Sequence, residues 1–262
     1  MQILVTNDDG IHAPGLHALA EALKRLGNVQ VVAPASEQSG VGLKITYLHP
    51  LIVHEEKIAG EHFGWAVAGT PADCVKLGIL EFCDERPAMI VSGINPGPNV
   101  GINVLYSGTV AAAIEGAFFG VTSIAVSRSD DPSVDYTETA ERAVAIVERI
   151  LSTDPPQGSL WNVNFPPSIP PAPLPPAGPP KGVRVVSMGV RRHVQVVESR
   201  LDPRGRKYYW TGLDPLVNHE MEPGTDVKEL SDGYITVTPL RFDLTHHELI
   251  KNHALPAEWR ER

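Results

Sequence analysis

Short apolar, β-branched runs separated by stretches of helical spacing constrain the fold of this chain more than any other feature. The runs at 3–5, 29–32, 89–92 and 122–127 have the length and composition of buried strands. Between the first two, residues 14–26 set Leu16, Leu19, Ala20, Leu23 and Leu26 at helical spacing, with Pro14 near the start and Gly27 past the end. Residues 109–120 read as a helix rich in small residues, and 135–151 places Ala140, Val144, Val147 and Ile150 or Leu151 on one face. Strands that alternate with helices over short connections pair in parallel, because only a crossover returns the chain to the same sheet edge. The expected fold class is α/β: a three-layer α/β/α sandwich on a mainly parallel, Rossmann-like sheet.

Segments near 44–47, 50–56 and 63–67 have strand-like composition and suggest a β excursion. Thr70-Pro71-Ala72-Asp73 reads as a helix start, with Thr70 as cap, Pro71 at the first position and Asp73 three residues after the cap. The character changes after residue 152. A proline-dominated stretch at 166–180 reads as an extended connector, and a second reading as an SH3-type ligand is weaker. Beyond it, 182–187, 193–199, 206–211 and 234–238 look like β segments, with a short helix at 245–253. The expected organisation is a catalytic core over 1–152 and a C-terminal part over 153–262, continuous with it. This second part would extend the sheet or supply an arm for oligomerisation.

The 262 residues suffice for a large core, and a formal net charge of −9 argues against a broad nucleic-acid or anionic-membrane surface. Cys74 and Cys83 lack zinc spacing and read as reduced thiols. No basic segment with an apolar stretch opens the chain, and no run is long enough for a bilayer, so the expected location is cytoplasmic, with no membrane partner.

Four strand-end segments could carry chemistry. In an open parallel sheet the ligand crevice lies beyond the carboxyl ends of the strands. Asp8 and Asp9 follow the first strand there, and two crowded acids persist most easily beside a hard cation such as Mg²⁺, Mn²⁺ or Ca²⁺. Otherwise, one acid caps the next helix while the other faces water. Ser36-Glu37-Gln38-Ser39-Gly40 follows the second strand. It is a plain turn taken alone, yet at that edge Ser39 could reach a metal and the Gly40 amide could face an anion. In Ser92-Gly93-Ile94-Asn95, Asn95 offers a carbonyl oxygen to a cation, an amide to a phosphate, or a turn hydrogen bond. Ser107-Gly108-Thr109 opens an alanine-rich helix, where free amides and two hydroxyls suit either a phosphate or an ordinary cap.

Taken in order, TNDDGIHAPGL, SEQSGVG, GTPADCVKLG, SGINPGPNVG and YSGTVAAAIEG resemble the SurE (survival protein E) family of metal-dependent nucleotide phosphatases. The likeness continues in WNVNFP, RGRKYYW, PGTDVKEL and DGYITVTPLRFDLT, so it covers nearly the whole chain. The resemblance implies that Asp8, Asp9, Ser39 and Asn95 hold one divalent cation per subunit. It also implies a 5′- or 3′-nucleotidase, with polyphosphatase activity in some members, and a homodimer or homotetramer with exchanged C-terminal elements. The 167–180 segment is longer than the family's usual connector.

The expected reaction is metal-assisted hydrolysis of a nucleoside monophosphate. Asp8 or Asp9 would orient or deprotonate water, while Asn95, Ser107, Gly108 and Thr109, with the Gly40 amide, hold the phosphate. The alternative route makes Asp8 a nucleophile that forms an aspartyl-phosphate. A receiver-like, non-catalytic phosphate-binding module is weaker, because the corresponding strand ends in Ser-Gly-Ile-Asn rather than a phosphoacceptor Asp. A dinucleotide binder is weaker still, since no G-x-G-x-x-G follows the first strand.

Overall fold

The computed structural model describes residues 1–129, 135–167, 179–190, 195–213 and 221–252. Its centre is a nine-stranded sheet. From one edge the strands are β3 (Val53–Ile58), β4 (Glu61–Val67), β2 (Asn28–Pro34), β1 (Gln2–Thr6), β5 (Met89–Pro96), β6 (Thr122–Arg128), β7 (Leu160–Phe165), β11 (Ile235–Leu240) and β8 (Val183–Val185). All neighbours are parallel except β3/β4 and β7/β11. The remaining pair, β9 (Gln195–Leu201) and β10 (Lys207–Leu213), forms a separate antiparallel hairpin.

Alternation along the central strands sends side chains to two helical layers. Ile3, Val5 and Val91 pack with Leu16, Leu19 and Leu23 of α1 (Pro14–Leu23) and with Ala140, Val144 and Val147 of α4 (Tyr136–Leu151). Leu4 and Ile90 point to the opposite face, against Cys74 and Val75 of α2 (Pro71–Leu77) and Ala112 of α3 (Gly108–Phe118). Each fully buried leucine here contributes about 1.5–3 kcal/mol of transfer free energy. The three-layer α/β sandwich expected from the alternation is the architecture observed. Both cysteines are free, with the Cys74 thiol pushed well up by burial and Cys83 up to about 11.

Several local details differ from the sequence reading. The first helix ends at Leu23 rather than 26, because its last turn tightens into Lys24 N–H to Glu21 and Leu26 N–H to Leu23 bonds. Residues 44–47 form no strand. Their backbone closes the start of α2: Thr46 N–H donates to Asp73 at 3.0 Å, and the Thr70 hydroxyl donates to the Lys44 carbonyl at 2.7 Å. The Thr70–Asp73 capping box itself is present as expected. Two elements were unanticipated: β7, and the six-residue α5 (Asp226–Ser231) capped by Thr225. The short terminal helix is α6 (His247–Asn252). Most of the proline-rich connector lies outside the described residues. Strands β7, β11 and β8 join the same sheet as the N-terminal strands. Among the described residues no helix is long and apolar enough to cross a membrane.

Candidate active site

The strand order reverses at β1. The chain moves from β1 toward β2 on one side and later enters β5 on the other, so a crevice opens past the carboxyl ends of β1 and β5. Asp8 and Asp9 leave β1 at this point and Asn95 lies at the end of β5. A residue that sequence reasoning passed over shapes the first of these turns. Asn7, fully buried, donates from Nδ2 to the Gly10 carbonyl at 3.0 Å and accepts the Gly10 N–H at 3.2 Å. Gly10 takes φ +103°, a conformation that disfavours any side chain. The Asp8 carbonyl accepts the Gln38 N–H at 2.7 Å, tying the turn to the loop after β2.

The Asp8 side chain is buried against the start of α3. Its Oδ1 accepts the Thr109 hydroxyl at 2.6 Å, and the nearby Thr109 backbone amide also favours the carboxylate. The positive end of the helix dipole suits a carboxylate here. Burial nevertheless outweighs these bonds and raises the Asp8 carboxyl above its ordinary value. Asp9 is pushed up to about 7, first by burial, then by the negative charge of Asp8 and Glu37. Its Oδ2 is buried with no hydrogen-bond partner among the described residues. Two neighbouring acids therefore lose hydration, repel each other, and leave one oxygen unsatisfied.

The other expected residues take distinct positions. Ser107 accepts the Val110 N–H at 3.2 Å as the cap of α3, and its own proton remains available to donate. Thr109 gives its hydroxyl proton to Asp8 and is fully buried, so it acts on the carboxylate rather than facing open solvent. Gly108 sits against that same carboxylate: a Cβ added there would lie 2.7 Å from Asp8 Cβ and 2.8 Å from Oδ2. Asn95 donates from Nδ2 to the Gly97 carbonyl at 2.6 Å, which leaves Oδ1 uncommitted among the described residues. Ser39 is exposed and donates to Glu37 Oε1 at 2.8 Å, and Gly40 is also exposed at φ +73°. His12 is exposed and lies 3.9 Å from Glu56, on the β3 side.

Glu37 was not anticipated as part of the charge cluster, although it stands in the quoted SEQSG segment. Nor were Asn99, Asn162, Asn164 and Asp226, which hold the loop after β5. Asn99 is bonded through its backbone to Asn162 and Asn164, and the buried Asp226 accepts the Gly101 N–H at 2.9 Å. Two asparagines at i and i+2 on one strand face were the available signal.

Among the described residues no three His, Cys, Asp or Glu side chains cluster as a metal site. Any cation here would draw on two carboxylates plus neutral oxygens. The orphaned Asp9 Oδ2 and the all-oxygen donor set fit a hard divalent ion such as Mg²⁺ or Mn²⁺, and not a thiophilic one. The electrostatic argument makes a prediction independent of catalysis. Asp9→Asn removes a carboxylate that repels Asp8 and Glu37. Discounted for the partial exposure of Asp9, the relief is about 1 kcal/mol, or about 2–4 °C in a chain of this size. Thermal melts in chelator are expected to show the variant above wild type by that amount, and a lower melting temperature would mean that the Asp9 carboxylate has a stabilising partner.

The chain matches the family model "Survival protein SurE" over residues 3–195. Among curated relatives, "5′-nucleotidase SurE" of Rhodopirellula baltica is 49% identical over 251 residues, covering 95% of this chain and 96% of that protein. The protein of the same name from Heliobacterium modesticaldum is 44% identical, covering 96% of this chain and 90% of its own length. The crystal structure of the SurE protein from Aquifex aeolicus aligns with a TM-score of 0.79 at 38% identity, across 96% of this chain and 97% of that one.

Proposed function

This chain belongs to the SurE family, and from that premise we propose that it is a divalent-metal-dependent phosphomonoesterase that hydrolyses nucleoside 5′-monophosphates to nucleoside and phosphate. The observation that carries the reading is the Asp8–Asp9 pair, half sunk at the sheet reversal with Asp9 Oδ2 lacking a donor among the described residues. A pair so placed is costly to keep ionised without a cation, and a phosphate monoester is the dianionic ligand that such a cation would attract.

In this reading Asp8, Asp9, Ser39 and Asn95 hold one Mg²⁺ or Mn²⁺, with Ca²⁺ as a further hard cation of the same preference. Bound there, the ion supplies charge neutralisation and Lewis-acid polarisation of a phosphate oxygen. The chain's own groups do the rest. Thr109 and the start of α3 fix the Asp8 carboxylate in one orientation, so its oxygens need no reorganisation during the reaction. Ser107, Gly108, Asn95 and the Gly40 amide would offer donors to the phosphate oxygens. Directing the attacking water falls to the Asp8–Asp9 pair, since His12, the histidine nearest in the chain, lies 3.9 Å from Glu56. The same pocket chemistry admits 3′-monophosphates and short polyphosphate as further substrates.

The C-terminal part carries exposed apolar groups, among them Leu201, Tyr209, Trp210 and Leu244. An isolated two-stranded hairpin such as β9–β10 is marginal in water. Both features support assembly of two or four copies through this region. The absence of a bilayer-length helix among the described residues is compatible with a cytoplasmic enzyme.

The test is release of inorganic phosphate from a panel of nucleoside 5′- and 3′-monophosphates and tripolyphosphate. Turnover of 5′-monophosphates is expected to vanish in EDTA and to return with excess Mg²⁺ or Mn²⁺. Equal release with and without chelator would overturn the metal-dependent mechanism. Absence of release under every metal would overturn the enzyme reading.

A further inference from the structure

We propose that Asn164, assisted by Asn162, is a positioning residue: it clamps the backbone of Asn99 and thereby sets the path of the loop that carries Asn95. The inference rests on the functional reading above only in giving Asn95 a role, and the clamp itself is a property of the fold.

Asn99 lies in the loop beyond β5, outside any strand. Its N–H donates to Asn164 Oδ1 at 2.8 Å, and its carbonyl accepts Asn162 Nδ2 at 2.7 Å and Asn164 Nδ2 at 3.1 Å. Its side-chain Nδ2 donates to Ser127 Oγ at 2.8 Å. The peptide groups of a loop residue are thus held by side chains of β7, as a neighbouring strand would hold them. The register explains the reach. Asn95 of β5 pairs with Ser127 of β6, and Ser127 pairs with Asn164 of β7, so the three lie in one row across the sheet. Asn99 folds back over the same row by bonding its second and third members.

This anchoring is transmitted over a short span. Asn95 Nδ2 donates to the Gly97 carbonyl, and the Gly97 N–H donates to the Arg128 carbonyl at 2.8 Å. The orientation of Asn95 therefore depends on a turn pinned on one side by β6 and on the other by Asn99. A second anchor follows at once, where Asp226 accepts the Gly101 N–H. Asn162 and Asn164 are both fully buried, and Val163 between them faces the opposite core. Burying two amides in a central strand is unfavourable, the more so because Asn162 Oδ1 has no hydrogen-bond partner among the described residues, and a valine would serve packing alone better. Their three bonds to the N–H and carbonyl of Asn99 give it a defined position, which packing alone would not.

The experiment compares full-length wild type with Asn164→Leu, similar in size but without polar atoms, and with Asn162→Val, which removes a single bond of the clamp. Three quantities are measured without substrate: amide hydrogen exchange, Mn²⁺ affinity by calorimetry, and the melting temperature. Asn164→Leu is expected to speed exchange selectively over 94–101, with β1 and α3 still protected, and to weaken Mn²⁺ binding about 10-fold, the scale of losing a group that orients a ligand. Asn162→Val is expected to shift both in the same direction by less. Unchanged exchange over 94–101 in either folded variant overturns the clamp. So does a uniform rise in exchange across the sheet that tracks the melting temperature, since that marks a purely structural residue. If Asn164→Leu does not fold, Asn162→Val alone decides between these outcomes. Selective loosening of 94–101 in a protein whose wild type neither binds Mn²⁺ nor releases phosphate would uphold the clamp and overturn the functional reading instead.

Discussion

Asp8→Asn is expected to abolish metal-dependent phosphate release while leaving the fold in place. The substitution is nearly isosteric, and an asparagine Oδ1 can still accept the Thr109 hydroxyl that now bonds Asp8 at 2.6 Å. What changes is the charge. A neutral amide offers a hard cation one weak oxygen in place of a carboxylate, and its NH₂ faces the donors at the start of α3. Transition-state charge stabilisation by a metal is worth several kcal/mol, so at 1.36 kcal/mol per tenfold the loss in kcat is roughly 10³-fold. The melting temperature in chelator should move by only a few degrees, because a lost dipole interaction is offset by relief from burying a charge. Activity is measured by phosphate release at saturating Mg²⁺ and Mn²⁺, and folding by circular dichroism. Near-wild-type turnover at either saturating metal would remove Asp8 from the mechanism.

The same residue separates what could be read in the sequence from what could not. The Asp8–Asp9 pair was legible because a β-branched run followed by two acids specifies both a strand and the end at which ligands gather. The α1, α3 and α4 helices were legible from their apolar spacing, and the start of α2 from its capping residues. Strand β7 was not, because Asn162 and Asn164 give its inner face the polarity of a surface although both are fully buried. Their partner is the backbone of Asn99, more than sixty residues away in the chain, and no local pattern encodes such a bond. Residues 44–47 misled for the related reason that strand-like side chains say nothing of where the backbone bonds go. Here those bonds close the α2 cap. Thr109 illustrates a subtler limit. A hydroxyl at a helix start looks the same in sequence whether it faces a ligand or an acidic neighbour, and only the fold brings Asp8 within 2.6 Å of it.

Gly108→Ala is the second large effect, and it arises from space rather than charge. A methyl group at this position would stand 2.7 Å from Asp8 Cβ and 2.8 Å from Asp8 Oδ2, distances that real Cβ atoms essentially never adopt. The neighbour that must yield is a short side chain held by the Thr109 hydroxyl, so it cannot swing clear without breaking that bond. Relief therefore requires a shift of the carboxylate, or of the first turn of α3, by a substantial fraction of an ångström. A displacement of about 1 Å at a reacting centre can cost on the order of 10²-fold in rate, and kcat is expected to fall by about that factor. Weaker Mn²⁺ binding should accompany it, because the displaced group is the proposed ligand. Stability should fall too, by roughly the 1–3 kcal/mol typical of overpacking, because Gly108 is the first residue of α3, where the interior preference for alanine acts weakly. The combination is diagnostic. A variant still fully folded at the assay temperature, with weakened Mn²⁺ binding and about 10²-fold lower kcat, places the defect at the carboxylate. If Gly108→Ala instead kept wild-type kcat and Mn²⁺ affinity, the fixed seat of Asp8 against α3 would have no part in the reaction.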